Sequence, residues 1–391
     1  EPGLNRVVVA SCTPRTHEPL FQETVRAAGL NPHLFAMANI REQDAWVHRG
    51  DPQKATEKAK ELVRMAVAKA RRLRPIERST LEVIHRALVI GGGIAGMTAA
   101  LSIAEQGFPV TLVEREAELG GNLRHIYTPL AGSDAGEPQT LLQQTIEAVR
   151  AHPLVTILTE AEIVDVSGYV GQFRTLIQHA NGSQEEIQHG AAVVATGAQQ
   201  VEPQEYLYGQ DPRVITQREL EEQITHHAPR IADYKSIVMI QCVGSRDDAH
   251  PYCSRICCTE AIKNALAIKA QKPDAQITIL FRDVRTFGFK ERHYGEARRQ
   301  GVVFVRHEPK RKPEVQIADS KLQVTAWETS LDEEIVLHPD LLVLSAGIKP
   351  NTENEALARL LKVPLNEDGF FLEAHVKLRP LDFAADGVYL C

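Results

Sequence analysis

The sequence has few aromatic residues, no long basic block and no uninterrupted apolar stretch of membrane length. Aromatic residues make up 5% of the 391 residues and apolar residues 43%, which is typical of an α/β protein. A net charge of −7 excludes the basic footprint of a nucleic-acid-binding protein. The most apolar stretch, "RALVIGGGIAGMTAALSIAEQG", contains glycines and flanking charges that favour a strand and helix over a transmembrane segment.

Cysteine is also scarce, and its six copies are unevenly spread, with four of them in one short segment. This spacing is unlike a secreted disulfide framework, and no signal peptide is visible, so we expect a cytoplasmic protein. The chain opens without methionine on "EPGLNRVVVASC" and closes on "GVYLC", a strand pattern cut short. We therefore expect a fragment of a longer protein.

The length predicts two or three domains, and the pattern predicts an α/β fold. The pattern over residues 1–86 predicts a small α/β unit with a connecting helix. Asp51 is expected to cap this helix and Pro52 to begin it. Two Rossmann-like dinucleotide-binding domains follow. The first is predicted at 87–205 and 336–391, and the second at 206–335.

A glycine loop opens the first of these domains. Gly91-x-Gly93-x-x-Gly96 follows the apolar strand "ALVI" and begins a helix. The first glycine permits a tight turn, the second lets the backbone approach a pyrophosphate, and the third lets helix and strand pack closely. Glu114 ends the next strand, where a carboxylate can accept a hydrogen bond from ribose. The set predicts a nucleotide site rather than a structural turn.

Further small residues extend this site. "EREAELGGNL" follows the strand at Glu114, and "VVATGA" and "VLSAGIKPN" are strands that end in small residues. The arrangement resembles the two-dinucleotide-binding-domain flavoproteins, the thioredoxin and disulfide reductase group, in which the first loop holds FAD and the second NAD(P)H. The predicted FAD-binding residues are Gly91, Gly93, Ile94, Ala95, Gly96, Glu114, Arg115, Gly120, Gly121, Asn122, Ala195, Thr196 and Gly197.

The second loop departs from that group because it contains cysteines where glycines are expected. "CVGSRDDAHPYCSRICC" retains only Gly244, so we expect the nicotinamide site to be lost. Four thiolates beside a helix N-terminus, with Arg246 or Arg255 nearby, suit an anionic iron–sulfur cluster. Structural zinc and redox-active or inert thiols stay open as alternatives. The four cysteines are Cys242, Cys253, Cys257 and Cys258.

Several segments extend the resemblance along the whole chain. "NRVVVASCTPRTHEPLF", "KATEKAKELVRMAVAKAR", "SGYVGQF" and the cysteine loop resemble the A subunit of heterodisulfide reductase and its bacterial relatives. The resemblance implies that the four cysteines hold a [4Fe–4S] cluster. It also implies that Cys12 binds an N-terminal cluster whose other ligands lie upstream, although Cys12 taken alone is more simply a buried turn thiol.

The resemblance further implies an FAD- and [4Fe–4S]-containing oxidoreductase that converts between two-electron and one-electron transfer, with electron bifurcation as an extension. Its expected partners are heterodisulfide reductase B- and C-like subunits, hydrogenase- or dehydrogenase-linked subunits and ferredoxin, around a homodimer. Two departures affect the electron route. The ferredoxin module inserted after "GYVGNF"-like segments of methanogen members is absent, and so is a cysteine pair after Gly120-Gly121.

Three other functions match parts of the sequence. A thioredoxin-reductase-like enzyme would need a Cys-x-x-Cys dithiol at the flavin and an intact second glycine loop, and both are missing. A peripheral flavoprotein subunit of a quinone-interacting membrane complex and a non-catalytic scaffold stay open. The sequence assigns no catalytic base, because the candidates favour surface or structural roles. These candidates are His125, Lys290, His293 and Tyr294.

Overall fold

The computed structural model describes four stretches of the chain, which are residues 3–77, 80–130, 136–226 and 233–391. The chain divides into two compact units. The first comprises Glu1–Glu82 and His375–Pro380, and the second comprises Val83–Ala374 and Leu381–Cys391.

The first unit is a small α/β unit built on two parallel strands. Its elements are β1 (Val7–Ser11), α1 (Pro14–Ala27), β2 (Phe35–Asn39), a π-helical turn (Arg41–Ala45) and α2 (Pro52–Arg72). Asp51 caps α2 as predicted, since its Oδ1 accepts a hydrogen bond from the Lys54 backbone N–H at 3.1 Å. Ala66 and Ala70 are buried on one face of this helix.

The second unit contains two five-stranded parallel sheets and two three-stranded antiparallel sheets. Its strands are β3 (Ala87–Ile90), β4 (Val110–Val113), β5 (Val155–Leu158), β6 (Ala161–Tyr169), β7 (Gln172–His179), β8 (Gln184–His189), β9 (Ala191–Val194), β10 (Gln199–Gln200), β11 (Val214–Thr216), β12 (Ser236–Val243), β13 (Gln276–Phe281), β14 (Val303–Arg306), β15 (Glu314–Ala318), β16 (Lys321–Glu328), β17 (Glu333–Leu337), β18 (Leu341–Ala346), β19 (Ile348–Lys349) and β20 (Val388–Leu390). Its helices are α3 (Ile94–Glu105), α4 (Pro138–Ala151), α5 (Gln217–His226), α6 (Cys257–Gln271), α7 (Glu291–Arg299) and α8 (Asn354–Leu361), with short 3-10 turns at Gly121–His125 and Gly288–Lys290.

The first parallel sheet has the strand order β20-β9-β3-β4-β5. Side chains alternate between its two faces. Val89 packs with residues of α3 and α4 on one face, while Leu88 packs with the antiparallel sheet β6-β7-β8 and with α8 on the other. Both faces are therefore covered, and the strands are mainly apolar, as in doubly wound α/β folds.

The second parallel sheet has the order β11-β18-β12-β13-β14 and repeats this layering. Met239 packs with α5 and α6 on one face. Val238 packs with the antiparallel sheet β15-β16-β17 on the other. The predicted α/β class with two Rossmann-type domains is confirmed.

One predicted boundary differs from the structure. We predicted that residues 336–391 return to the first dinucleotide-binding domain, but β18 lies in the second sheet between β11 and β12. β18 is an entirely buried, mainly apolar strand, and such a strand suits the middle of either parallel sheet, so its pattern does not identify its neighbours. The chain returns to the first sheet only with α8 and β20.

Candidate functional site

The glycine loop connects β3 directly to α3. Gly91 has a φ of +112°, a conformation that favours glycine, and Gly93 is the N-cap residue of α3. Gly93 lies in open space, since a Cβ built there would meet no atom within 4 Å. The first N–H groups of α3 are therefore next to a space that an anionic ligand can approach.

Two of the glycines are required by close backbone packing. A Cβ at Gly96 would lie 1.9 Å from the carbonyl oxygen of Gly91. A Cβ at Gly91 would lie 2.3 Å from the carbonyl oxygen of Ala195, at the end of β9. The turn thus depends on bare backbone at both positions, which is the role that the motif predicts for its first and third glycines.

Glu114 supports this turn from the end of β4. It is 9% exposed, and its Oε2 accepts a hydrogen bond from the Gly92 N–H at 2.6 Å. Its Oε1 accepts another from the Glu116 N–H at 2.9 Å. Each carboxylate oxygen keeps a further lone pair, so the group can also accept from a ligand hydroxyl.

A cavity of about 510 Å³ lies over the loop. Every predicted FAD-binding residue except Gly96 lines it, and Gly96 lies beneath the turn against Gly91. An adjoining cavity of about 210 Å³ shares Glu114 and Arg115 with the first and is lined by apolar side chains that include Ile163 and Leu357. A polar groove continued by an apolar recess suits a dinucleotide whose pyrophosphate and adenine need different surroundings.

Two polar residues that the sequence does not single out complete the cavity. Arg218 of α5 donates a hydrogen bond from Nη2 to Asn122 Oδ1 at 2.8 Å, and Asn351 donates from Nδ2 to the Thr196 carbonyl oxygen at 2.7 Å. Asn351 is the last residue of the segment "VLSAGIKPN", which did carry a signal. Arg218 carried none, because a single arginine on an amphipathic helix is an ordinary surface residue.

The four candidate catalytic bases are dispersed. Only His125 lines the cavity, and burial, together with Arg218 and Arg124, lowers the pKa of this histidine below its usual value. His293 is buried in α7, Tyr294 packs edge-on against Phe304, and Lys290 is exposed at the start of that helix. The structural roles expected for His293 and Tyr294 agree with these positions.

The cysteine loop occupies the equivalent position between β12 and α6. Cys242 lies in an irregularity at the end of β12 with a φ of +62°, and Cys257 and Cys258 begin α6. Burial raises the pKa of the Cys242 thiol and of the Cys257 thiol, and raises that of Cys258 to about 11. Neighbouring cysteines add to each shift, including Cys253, so the four sulfurs lie within range of one another's charge.

The thiols are not gathered around a common centre. Within the described residues, no group of three or more His, Cys, Asp or Glu side chains is arranged to hold a metal ion. Cys257 Sγ instead donates to the Ala346 carbonyl oxygen at 3.5 Å, and Cys258 Sγ to the Asp283 carbonyl oxygen at 3.8 Å. These are the partners expected of protonated thiols. The donor set is still chemically suited to a thiolate-bound cluster, because metal binding deprotonates buried thiols outright.

Arginine side chains surround the loop. Arg246 and Arg282 both oppose the burial of Cys242 by favouring its thiolate. Arg285 interacts with Cys253 and also donates from Nε to Asp283 Oδ2 at 2.9 Å. The predicted neighbour Arg255 contributes its backbone, since its N–H donates to Cys253 Sγ at 3.4 Å.

Cys12 belongs to the first unit and directly follows β1. It is partly exposed, and the Ser11 hydroxyl donates to its sulfur at 3.6 Å. Its role as a ligand of a second cluster stays a prediction.

The fold and the cavity define a flavin-dependent oxidoreductase of the two-dinucleotide-binding type. The family described as "Pyridine nucleotide-disulphide oxidoreductase" matches residues 85–238. Thioredoxin reductase from Lactococcus lactis has the same fold, with a TM-score of 0.51 and 17% identity, over 78% of this chain and 89% of that one.

Two curated relatives specify the family. An iron–sulfur A subunit of CoB–CoM heterodisulfide reductase from Methanopyrus kandleri is 37% identical, over 99% of this chain and 72% of its own length. The A subunit of the H2:CoB–CoM heterodisulfide, ferredoxin reductase from Methanothermobacter thermautotrophicus is 35% identical, over 100% and 72%. This chain belongs to the family of heterodisulfide reductase A subunits. Both alignments extend over 481 residues, so the relatives contain stretches without a counterpart in these 391 residues.

The helices fall short of the requirements of a membrane span. In the part of the chain that the structure describes, none is both long and apolar enough to cross a bilayer.

Proposed function

We propose that this chain is the electron-transfer subunit of a heterodisulfide-reductase-like complex, with FAD at the glycine loop and a [4Fe–4S] cluster on Cys242, Cys253, Cys257 and Cys258. One observation carries the proposal. A cavity lined by the predicted FAD-binding residues and a four-thiol loop follow corresponding strands of the two parallel sheets in one compact unit. FAD supplies two-electron chemistry and an iron–sulfur cluster one-electron chemistry.

The residues of the first loop would bind and orient the flavin nucleotide. Gly93 leaves room for a pyrophosphate at the N-terminus of α3, and Glu114 offers its free lone pairs to a ribose hydroxyl. Arg218 lines the same cavity as a cation, and His125 beside it, with its lowered pKa, can accept a proton.

The second loop fills the crevice where a nicotinamide nucleotide would bind. Ser254 Oγ accepts a hydrogen bond from the Ile348 N–H at 2.9 Å, and the Tyr252 hydroxyl donates to the Ile348 carbonyl oxygen at 3.0 Å. A Cβ at Gly347 would lie 2.8 Å from Ser245 Cβ. The loop therefore covers the carboxyl end of β18. We propose that its thiols hold a cluster where a nicotinamide nucleotide would otherwise donate a hydride.

The names of the relatives support the choice of partners. One is called an iron–sulfur protein of the reductase, and the other is named for H2, a CoB–CoM heterodisulfide and ferredoxin. We propose that this chain likewise exchanges electrons with ferredoxin, with B- and C-like subunits and with a hydrogenase- or dehydrogenase-linked subunit. The second name also supports electron bifurcation, in which a flavin divides its electrons between two acceptors.

Anaerobic purification with cofactor analysis tests the proposal. We expect about one FAD and about four iron atoms with four sulfides on the second unit. The double substitution Cys257→Ser and Cys258→Ser should remove this iron and the paramagnetic signal of the reduced protein, while the flavin absorbance stays. Cys391→Ser, which changes an exposed cysteine outside the loop, is the matched control and should keep the iron.

Each alternative has its own outcome. Zinc in place of iron and sulfide would overturn the cluster, and protein that binds neither flavin nor iron would support the scaffold. Rapid bleaching of the flavin by NADH would contradict the loss of the nicotinamide site. Reduction by a quinol instead of ferredoxin would favour the quinone-linked complex.

A further inference from the structure

An exposed group of apolar side chains lies next to the cysteine loop. Phe289 is 92% exposed, Phe287 60% and Ile256 46%. They belong to two segments, residues 253–258 of the cysteine loop and residues 283–292, which contain the 3-10 turn before α7. Single exposed apolar residues are ordinary, whereas a group of them marks an interaction surface. We call these three side chains the loop-side patch.

Contacts with two of the four thiols hold the two segments together. Cys258 Sγ donates to the Asp283 carbonyl oxygen at 3.8 Å, and the Arg285 side chain interacts with Cys253. Asp283 and Arg285 lead directly into the two phenylalanines, and the isoleucine lies between the two cysteines in the sequence. The loop-side patch is therefore formed where the two segments meet at the sulfurs.

Positive charge predominates around the loop-side patch. Arg255, Lys290 and Arg292 are exposed, and none of them forms an ion pair among the residues that the structure describes. The two segments contain two acids, and one of them, Asp283, is already matched by two arginines. The other is Glu291, so the free cations outnumber the free acid. Because the whole chain carries a net charge of −7, this excess is local and complementary to an acidic partner.

Aromatic side chains and arginine are enriched at protein interfaces, and interfaces between electron-transfer partners are small. We propose that the loop-side patch and its three cations are the docking surface for an acidic one-electron carrier protein of the ferredoxin class, which delivers its electron to the cysteine loop. This inference rests on the cluster proposed above and assigns a surface to one of its partners. The reduced carrier loses one electron and the oxidised cluster gains it, so no bond or proton is transferred.

Stopped-flow mixing of the anaerobic holoprotein with a purified, reduced ferredoxin of acidic pI tests the docking surface. The second-order rate constant for reduction of the wild type should fall at least about tenfold between about 20 mM and about 300 mM salt, because salt screens the attraction between the two proteins. Reduction by dithionite, followed by the paramagnetic signal of the reduced protein, reports the cluster without the carrier.

Substitutions of exposed residues assign the roles. Lys290→Glu combined with Arg292→Glu should slow reduction by ferredoxin at least about tenfold at low salt. Phe289→Ser should slow it at low and at high salt, because salt does not screen an apolar contact. Lys321→Glu and Leu331→Ser are the matched controls in the antiparallel sheet β15-β16-β17, which packs on the opposite face of the second parallel sheet from α7. Both controls should keep the wild-type rate, and every variant should keep the wild-type dithionite signal.

The outcomes separate this inference from the proposed function. A wild-type protein without a paramagnetic signal after dithionite would refute the cluster itself. A normal signal, with rates of reduction by ferredoxin that the patch substitutions do not change, would overturn the docking surface alone. Equal slowing by the patch substitutions and by their controls would overturn it as well. A change from dimer to monomer in the patch variants, measured by analytical ultracentrifugation, would show that a second copy of the chain covers the patch instead of a carrier.

Discussion

The two loops that follow β3 and β12 occupy corresponding positions and differ in length as well as in chemistry. Residues 91–93 separate β3 from α3, whereas residues 244–256 separate β12 from α6. The short loop places the helix N-terminus beside the strand end and leaves open space at Gly93. The long loop fills the same space with Ser245, Tyr252 and Ser254. One fold thus offers bare backbone to a nucleotide at one position and side-chain sulfur at the other.

The largest effect on FAD affinity is expected from a single methyl group in the short loop. Gly96→Ala would place Cβ against the Gly91 carbonyl oxygen and displace the turn, so we expect FAD affinity to fall at least about 100-fold, or about 2.7 kcal/mol. Gly93→Ala meets no protein atom and keeps a compatible φ of −70°. This variant should melt like the wild-type apoprotein but bind FAD about tenfold more weakly. Fluorescence titration of the apoproteins measures both affinities, and equal effects of the two substitutions would contradict the distinction.

A buried ion pair connects the two regions, and its loss should mainly lower the free energy of unfolding. Glu221 of α5 is fully buried and binds Lys263 of α6 at 2.7 Å. Its Oε1 also accepts the backbone N–H groups of Tyr127 and Thr128, just beyond the turn that lines the flavin cavity, at 2.7 Å each. Lys263→Met would leave the carboxylate buried without its cation, so we expect a loss of about 3–5 kcal/mol and weaker FAD binding.

The Arg299–Glu296 pair of α7 provides the control for that substitution. It lies in the same unit, and its two side chains are 70% and 40% exposed. Arg299→Met should therefore cost about 1 kcal/mol or less and leave FAD affinity unchanged. Urea unfolding at constant m-value measures both losses. If Lys263→Met were no more destabilising than the control, Glu221 would not couple the regions.

Residues that act through local geometry were predictable from the sequence. The glycine spacing, Glu114 at its strand end and the Asp51 cap each depend on a few neighbouring positions, so their patterns identify them. The position of β18 depends on strands far away in the chain. Arg218 reaches the flavin cavity only because α5 packs near Asn122, and no short motif encodes that contact.

The antiparallel sheets differ in their sensitivity to acid, an effect that is small at neutral pH. In the first, His189 is fully buried, with Nε2 2.8 Å from Thr175 Oγ1, and burial lowers its pKa from 6.5 to about 4. In the second, the buried residues of the central strand β16 are apolar and include Leu322 and Val324. Because the unfolded chain binds a proton that the folded chain excludes, His189 should reduce stability as the pH falls from about 6.5 to about 4, by at most about 3 kcal/mol.

Urea unfolding of the wild type and of His189→Gln between pH 4 and pH 8 isolates this contribution. At pH 8 the histidine of the wild type and the glutamine of the variant are both neutral. A difference in the free energy of unfolding at this pH therefore reports only altered packing with Phe173 and Thr175. Below pH 6.5 the free energy of unfolding should fall more steeply for the wild type than for the variant. His189 packs beneath the first sheet. The absorbance of bound FAD should therefore be lost in acid before the paramagnetic signal of the cluster proposed on the cysteine loop. Parallel pH profiles for the two proteins, or simultaneous loss of both signals, would show that the two regions do not differ in this respect.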